Sequence, residues 1–279
     1  MEDSILSVGI DIGTSTTQVI FSRLQVENTS GYFTVPRAEI VSKKVVYASE
    51  VHPTPLLNSI LLDGEKVRDL VANEFAKAGF SPQETTVGAV IITGESARKE
   101  NAKLVLEKLS EFAGDFVVST AGPDLEAVIA GKGCGAQQFS EEYGTTVVNL
   151  DIGGGTTNIA LFRDGQVVAK GCLDIGGRLV RLDSDGRILA VSPAAATVAD
   201  SIGITICVGE RLSTTELSRI ADKMAQLLEQ QLGLCPPESL LHEMKTPGSS
   251  DFCNKIPIKY ISFSGGVANF IYRSEQRCV

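Results

Sequence analysis

No tryptophan and only two histidines occur among the 279 residues, so histidine-based acid–base chemistry has few candidates. His52 lies in a His-Pro-Thr-Pro stretch that reads as a loop, and His242 follows Leu240-Leu241 in a short, polar-flanked segment; both read as structural or solvated side chains. No apolar run reaches the length of about 18 residues that a membrane helix needs. The N-terminus, Met-Glu-Asp-Ser, lacks the basic flank and apolar core of a signal peptide, so neither membrane insertion nor secretion is expected. The six cysteines, Cys134, Cys172, Cys207, Cys235, Cys253 and Cys278, are scattered without a CxxC pair. That excludes the usual zinc and redox motifs and reads as reduced thiols of a cytoplasmic protein. Basic residues are outnumbered, 25 against 34 acidic, and the net charge of −9 repels nucleic acid unless a local patch overrides it. The nearest approach to a patch, Arg178 to Arg187, is interrupted by Asp183 and Asp185. Walker-type phosphate signatures are also missing: there is no GxxxxGK(S/T), and no GxGxxG that follows a strand and opens a helix.

What is present can fill a substantial core, since 43% of the residues are hydrophobic, enough for two modest domains or one large one. Ile5 to Ile12 reads as a strand, with β-branched Val8, Ile10 and Ile12 alternating with smaller or polar residues. Gly13-Thr14-Ser15-Thr16 makes a turn, and Thr17 to Arg23 returns as a second strand. From Gln25 to Asn58 short strands are expected around Pro36, Pro53 and Pro55. Asp63 to Gly79 predicts an amphipathic helix, with Val67, Leu70, Val71, Phe75 and Ala78 on one stripe, an acidic start and a glycine stop. Val87 to Thr93 and Phe116 to Ser119 read as strands, Ser96 to Phe112 and Pro123 to Ala130 as helices, and the alternation argues an α/β architecture. Strands follow at Thr145 to Asp151, Thr157 to Phe162 and Gln166 to Cys172, and Arg178 to Val191 reads as a further hairpin. Thr214 to Leu232 predicts a strong helix, Leu234 to Asn254 a loop or disordered insertion, and Tyr260 to Ser264 a strand running into Gly265-Gly266.

The opening theme occurs twice. Asp11-Ile12-Gly13-Thr14-Ser15 and Asp151-Ile152-Gly153-Gly154-Gly155-Thr156-Thr157 each end an apolar strand, and they lie 151 − 11 = 140 positions apart. Such a duplication suggests two similar domains, 1–144 and 145–279, facing each other across a cleft. Glycines in these turns let backbone N–H groups approach phosphate oxygens, and the hydroxyls of Thr14, Ser15, Thr16, Thr156 and Thr157 can add hydrogen bonds. A single Asp-x-Gly is often an ordinary turn; two in the same strand context point to a shared task. The carboxylates of Asp11 and Asp151 would repel phosphate unless a cation lay between, so they imply Mg²⁺ held through its waters and are the candidate catalytic and metal-directing residues.

Ile10 to Thr14 resembles the first phosphate motif of the actin/Hsp70/sugar-kinase superfamily, and Leu150 to Thr157 resembles the second. Pro123 to Gly131 is similar to its first connecting helix, with the small residues Ala127, Ala130 and Gly131, and Ile261 to Val267 resembles the adenosine motif, where Gly265-Gly266 pass beside the nucleoside. The resemblance implies an actin-like (ribonuclease H-like) ATPase fold, duplicated around a nucleotide cleft, with Mg-ATP bound through Gly13, Thr14, Ser15, Thr16, Gly153 to Thr157, Gly265 and Gly266. Within that superfamily, Thr93 to Ala102 and the segment around Glu210-Arg211-Leu212-Ser213 resemble the reactivating factors of ethanolamine ammonia-lyase. This implies a chaperone-like ATPase that exchanges damaged cobalamin for adenosylcobalamin in the lyase, in the cytoplasm or with a bacterial microcompartment. Small-molecule kinases and actin-like scaffolds share the fold and stay open as alternatives. A kinase needs a general-base carboxylate opposite the γ-phosphate, and no convincing pair beyond Asp11 and Asp151 is found.

Two departures stand out. Gly122 precedes Pro123 where Hsp70-like members carry an acidic residue, which leaves Asp124 and Glu126 as nearby carboxylates out of register. After Ser264 only 279 − 264 = 15 residues remain, fewer than the fold normally uses to finish its second domain, so a truncated second domain is expected.

Overall fold

Strand β1 (Ser4–Ile12) shows the alternation that the sequence predicts, with Leu6, Val8, Ile10 and Ile12 buried. It pairs antiparallel with β2 (Thr16–Asn28), whose Val19 and Phe21 turn to the same core. The computed structural model describes residues 4–13, 16–28, 38–57, 61–93, 101–113, 116–120, 122–252 and 256–273. They form two compact units, Met1–Ala121 and Gly122–Val279. Among the described residues, no helix is long and apolar enough to cross a membrane.

The first unit continues with β3 (Ala38–Ala48), β4 (His52–Pro53), α1 (Gly64–Ala78), β5 (Val87–Ile92), α2 (Ala102–Ala113) and β6 (Phe116–Thr120). Its sheet runs β3-β2-β1-β5-β6, with β4 also on β2; β1, β2 and β3 are antiparallel neighbours, and β5 and β6 run parallel to β1. Where short strands were expected, β2 and β3 form a long ribbon instead. β1 ends its pairing at Ser4 opposite Gln25, yet Val26, Glu27 and Asn28 still pair with Ile40, Glu39 and Ala38. The two strands satisfy each other's backbone groups without needing a core beneath them.

Helix α1 forms as its caps dictate: the Asp63 side chain accepts from the Lys66 amide at 3.2 Å, and Gly79 ends the helix at φ 74°. Val67, Val71 and Phe75 recur at a spacing of four and are buried against Phe21, whose ring meets that of Phe75 edge-on at 4.8 Å. Glu74 is also buried. It accepts from Tyr47 Oη at 2.6 Å and Lys77 Nζ at 2.7 Å, and lies 3.1 Å from His52 Nε2. Helix α2 begins at Ala102 after Asn101 ties its side-chain amide to both backbone groups of Leu62. The earlier part of the predicted helix, with most of the run Glu95 to Lys103, lies outside the described residues.

The second unit opens with α3 (Pro123–Gly133) and α4 (Ala136–Glu142), followed by β7 (Thr146–Ile152), β8 (Thr157–Arg163) and β9 (Gln166–Leu173). Then come β10 (Val180–Leu182), β11 (Ile188–Val191), α5 (Pro193–Ser201), α6 (Thr214–Gln231), α7 (Ser239–Glu243), β12 (Tyr260–Ser264) and α8 (Ala268–Arg273). The sheet order β12-β7-β8-β9, with β12 parallel to β7 and the rest antiparallel, repeats β5-β1-β2-β3 of the first unit. Thr146 to Leu150 and Thr157 to Phe162 are buried without alternation, as expected of strands covered on both faces. Gly131 lets α3 lie on β8, since a Cβ there would stand 2.3 Å from the Phe162 ring. Ala127 and Ala136 join Val147, Ala160 and Phe162 in one cluster, so α3 and α4 belong to this unit although the sequence placed them before the change of domain at Gly144.

Helix α6 starts at a capping box formed by Ser213 and Glu216 and packs Ile220 and Leu227 against Val198, Ala199, Leu240, Leu241 and Met244. The segment expected as a loop or disordered insertion is irregular where it is described except for α7, and it is anchored. Leu240, Leu241 and Met244 anchor it in the core, and the Thr246 amide donates to the Cys172 carbonyl at 3.0 Å.

Glu74→Gln removes the charge that three neighbours converge on and is expected to lower stability by about 1–3 kcal/mol at neutral pH. Burial alone would raise the pKa of Glu74, but the bonds from Lys77 and Tyr47 and the nearby charges of Lys77 and His52 outweigh it and hold the carboxyl below its ordinary value. Its stabilisation is thus present above the ordinary glutamate pKa and lost as pH falls through the lower folded-state value. Urea denaturation should give a gap between the two proteins at pH 7 that closes in acid.

Candidate functional site

The two Asp-x-Gly turns are built alike. Asp11 pairs with Gln18 and Ile12 with Thr17; Asp151 pairs with Asn158 and Ile152 with Thr157. The Gly13 amide donates to the Thr16 carbonyl at 2.8 Å, and the Gly153 amide to the Thr156 carbonyl at 2.9 Å. In each copy the isoleucine is buried and fixes the strand end, which leaves the preceding aspartate at the last turn of the sheet. Thr14 and Ser15, both candidate phosphate ligands, lie outside the described residues.

The first turn is braced from the side. Thr54 Oγ1 donates to the Gly13 carbonyl at 2.8 Å and lies 3.2 Å from Thr17 Oγ1, so the His-Pro-Thr-Pro stretch supports the turn. Thr93 Oγ1 donates to Asp11 Oδ1 at 3.2 Å, and Asp11 itself is exposed.

The second turn is held by a segment that sequence reasoning missed. Asp174-Ile175-Gly176-Gly177 follows β9 and is a third copy of Asp-Ile-Gly, the signal that would have revealed it. The Gly177 amide donates to the Gly153 carbonyl at 2.9 Å and the Arg178 amide to the Gly154 carbonyl at 2.8 Å. A Cβ on Gly176 would stand 2.6 Å from the Gly154 carbonyl and 2.7 Å from the Gly155 nitrogen, and one on Gly265 would stand 2.5 Å from the Ile152 carbonyl. With the Gly153 and Gly154 carbonyls tied back, the turn leaves the amides of Gly154 and Gly155 without an acceptor among the described residues. Gly266 has open space where a side chain would be. Thr157, a candidate ligand, is fully buried and donates to the Ile175 carbonyl at 2.6 Å, so its hydroxyl holds the turn's base. Thr156 is also buried, and Thr16 contributes its carbonyl to the first turn.

Asp151 is half-buried. Burial pushes its carboxyl above the ordinary aspartate value, against hydrogen bonds from the Ser264 hydroxyl, at 2.6 Å, and the Asn158 amide, which pull it down. Asn158 is itself buried, and its Oδ1 has no partner among the described residues. A phosphate with a hydrated divalent cation fits these features: free amides would meet phosphate oxygens, a carboxylate would face the cation, and a coordinated water would supply the donor that Asn158 Oδ1 lacks. No group of three or more His, Cys, Asp or Glu side chains able to hold a metal ion directly occurs among the described residues.

Ser264, Asn158 and Asn149 also escaped sequence reasoning. The legible sign was a polar residue inside a strand otherwise buried on both faces, as Asn149 is. Asp124, a nearby carboxylate of the connecting helix, is engaged within its unit: it accepts from the Ser250 amide at 2.8 Å and from the Ser250 hydroxyl, and Lys170 Nζ is 3.3 Å away. Burial would raise its pKa, but these partners outweigh burial and hold it below the ordinary value.

Gly265 and Gly186 both have positive φ, 80° and 76°, but only Gly265 faces a close backbone neighbour. Gly186→Ala is expected to cost about 1 kcal/mol for the left-handed conformation, and Gly265→Ala at least about 2 kcal/mol because the Ile152 carbonyl must also move. Thermal denaturation of the two variants checks this, and an equal loss at both would show that the contact with Ile152 contributes nothing.

The model of a family described as ethanolamine utilisation protein EutA matches residues 3–278. Two curated relatives named ethanolamine ammonia-lyase reactivase EutA are each 39% identical to this chain. The Salmonella typhimurium protein (strain LT2) aligns over 97% of this chain and 57% of its own length. The Escherichia coli K12 protein aligns over 94% and 56%. The chain thus spans little more than half the length of these relatives. Among solved structures, the Aquifex aeolicus member of the Ppx/GppA family superposes with a TM-score of 0.53 at 15% identity, covering 99% of this chain and 72% of that one. A PilM–PilN type IV pilus biogenesis complex gives 0.50 at 13% identity, covering 95% and 82%. These likenesses place the chain in the actin-like ATPase fold. With its sequence matched almost from end to end, the chain belongs to the family of the ethanolamine utilisation protein EutA.

Proposed function

We propose that this chain binds Mg-ATP through its Asp-x-Gly turns and serves, as its relatives' name indicates for them, in the reactivation of ethanolamine ammonia-lyase. The observation that carries the nucleotide reading is the turn Gly153–Thr156, whose Gly153 and Gly154 carbonyls are bound from behind while the amides of Gly154 and Gly155 have no acceptor among the described residues, beside a half-buried carboxylate. Gly154 and Gly155 would donate to phosphate oxygens, Asp151 would direct a hydrated Mg²⁺, and Asp11 would supply the matching carboxylate of the first turn. Bound Mg²⁺ would neutralise phosphate charge and let hydrolysis proceed. Gly265 and Gly266 would pass the chain close to the nucleoside.

On this reading ATP binding and hydrolysis drive the release of damaged cobalamin from the lyase, so that adenosylcobalamin can replace it. A cytoplasmic or microcompartment setting follows the lyase. A small-molecule kinase is the weaker reading, because Asp124 is already bonded to Ser250 and Lys170 and is poorly placed to act as a base.

Calorimetry with ATP, with and without Mg²⁺, tests the nucleotide site, and cyanocobalamin release from inactivated lyase on adding this chain with Mg-ATP tests the role. Asp151→Asn should reduce Mg-dependent hydrolysis at least about tenfold, equivalent to roughly 1.4 kcal/mol, while metal-free ATP binding and the melting temperature change little. Wild-type Mg²⁺ dependence in that variant would sink the assignment.

A further inference from the structure

We infer that Asn149 is a positioning residue that sets the direction of a hydrogen-bond chain ending on Asp151. Asn149 is fully buried in β7. Its Nδ2 lies 2.9 Å from Ser264 Oγ, and Ser264 Oγ lies 2.6 Å from Asp151 Oδ1. Its Oδ1 lies 2.9 Å from Ser262 Oγ and 3.2 Å from the Sγ of Cys134, at the end of α3.

The proton directions follow from both ends. An aspartate carboxylate only accepts, so Ser264 must give its single hydroxyl proton to Asp151 and can only accept from Asn149. Asn149 must then turn its NH₂ toward Ser264, which leaves its carbonyl oxygen to Ser262 and Cys134, each with a proton to give. Ser262 has the Val148 carbonyl as an alternative acceptor, but at 3.5 Å against 2.9 Å to Asn149, whereas Cys134 has the Gly131 carbonyl at 3.4 Å against 3.2 Å, so Ser262 is the donor that fixes the start of the chain. The chain therefore runs one way, from Ser262 through Asn149 and Ser264 to Asp151, with the Cys134 thiol beside the same Asn149 oxygen.

Its consequence is orientation. Ser264 takes one lone-pair direction of Asp151 Oδ1 and the Asn158 amide donates to the same carboxylate, so Asp151 is held in a fixed attitude with Ser264 as the donor that Asn149 directs. The effect on a divalent cation rests on the nucleotide reading above, whereas the orientation of Asp151 does not. An amide at position 149 is required: an acceptor-only side chain there would draw the Ser264 proton away from Asp151 although every heavy atom stayed in place.

Two readouts test this on Asn149→Asp, Ser264→Ala and Ser264→Thr. In the ligand-free chain at fixed pH, the carboxyl carbon-13 signal of Asp151 should move in the first two variants and stay in Ser264→Thr, which keeps the hydroxyl. Mn²⁺ titrated into the chain saturated with a non-hydrolysable ATP analogue, followed by electron paramagnetic resonance, should bind about tenfold more weakly in the first two and normally in the third. An unmoved Asp151 signal in Ser264→Ala overturns the inference, as does a shift shared equally by Ser264→Thr. Should Asn149→Asp fail to fold, the alanine and threonine variants still decide it. If the wild-type chain binds no Mn²⁺ with the analogue but the Asp151 signal follows the expected pattern, the nucleotide reading fails and the positioning role stands.

Discussion

Backbone meeting backbone without intervening side chains is the constraint on which the second turn depends. Gly176 lies against Gly154 and Gly155, and Gly265 against Ile152, at separations no Cβ could share. That closeness brings the amides of Gly177 and Arg178 within reach of the Gly153 and Gly154 carbonyls. A turn satisfied only by its own Gly153 to Thr156 bond would leave its carbonyls to solvent and its orientation loose. Held from behind, it keeps the Gly153 and Gly154 carbonyls occupied and leaves the Gly154 and Gly155 amides without an acceptor among the described residues, and this polarity suits an anion. Strand β12 and the segment after β9 are needed for it, so the site depends on chain far from Asp151 in sequence.

Asp151 sits in the balance this arrangement creates. Withdrawal from water disfavours its charge, and the Ser264 hydroxyl and Asn158 amide favour it. Those donors come from the two neighbouring strands, β12 and β8, so the pairing register that builds the sheet also delivers both partners. Ser264 faces Asp151 directly in the β12–β7 register, and Asn158 faces it in β7–β8. A one-residue slip of either strand would turn its partner to the other face.

Much of this was legible in the sequence where local rules decide. Helix α1 follows from Asp63, Gly79 and a four-residue apolar spacing; β1 follows from alternation; and the duplication was visible as Asp-Ile-Gly repeated at equivalent strand ends. What was hidden lacked a local signature. The β2–β3 ribbon is largely exposed on β3, so no burial period marks it, and its two strands stabilise each other by pairing alone. In 234–252 the turn-forming composition outweighed three apolar anchors, Leu240, Leu241 and Met244, whose burial depends on α5 and α6. The bracing residues Thr54, Thr93, Gly176 and Ser264 act on partners between 21 and 113 positions away, beyond any periodicity argument.

The two copies of the hairpin also show how one backbone solution can be supported by different chemistry. In the first, hydroxyls do the bracing: Thr54 on the Gly13 carbonyl, Thr17 beside Thr54, and Thr93 on Asp11. In the second, main-chain amides hold the corresponding carbonyls, and the aspartate takes its bonds from Ser264 and Asn158. A threonine reaches across a gap, whereas an amide requires contact, and among the described residues it is the second turn that has glycines so near that a Cβ on Gly176 or Gly265 would stand less than 2.8 Å from backbone. Asp11 is correspondingly exposed and Asp151 half-buried. Two carboxylates related by duplication therefore stand in different dielectric surroundings, and the more enclosed Asp151 depends more on its neighbours for its charge and its orientation.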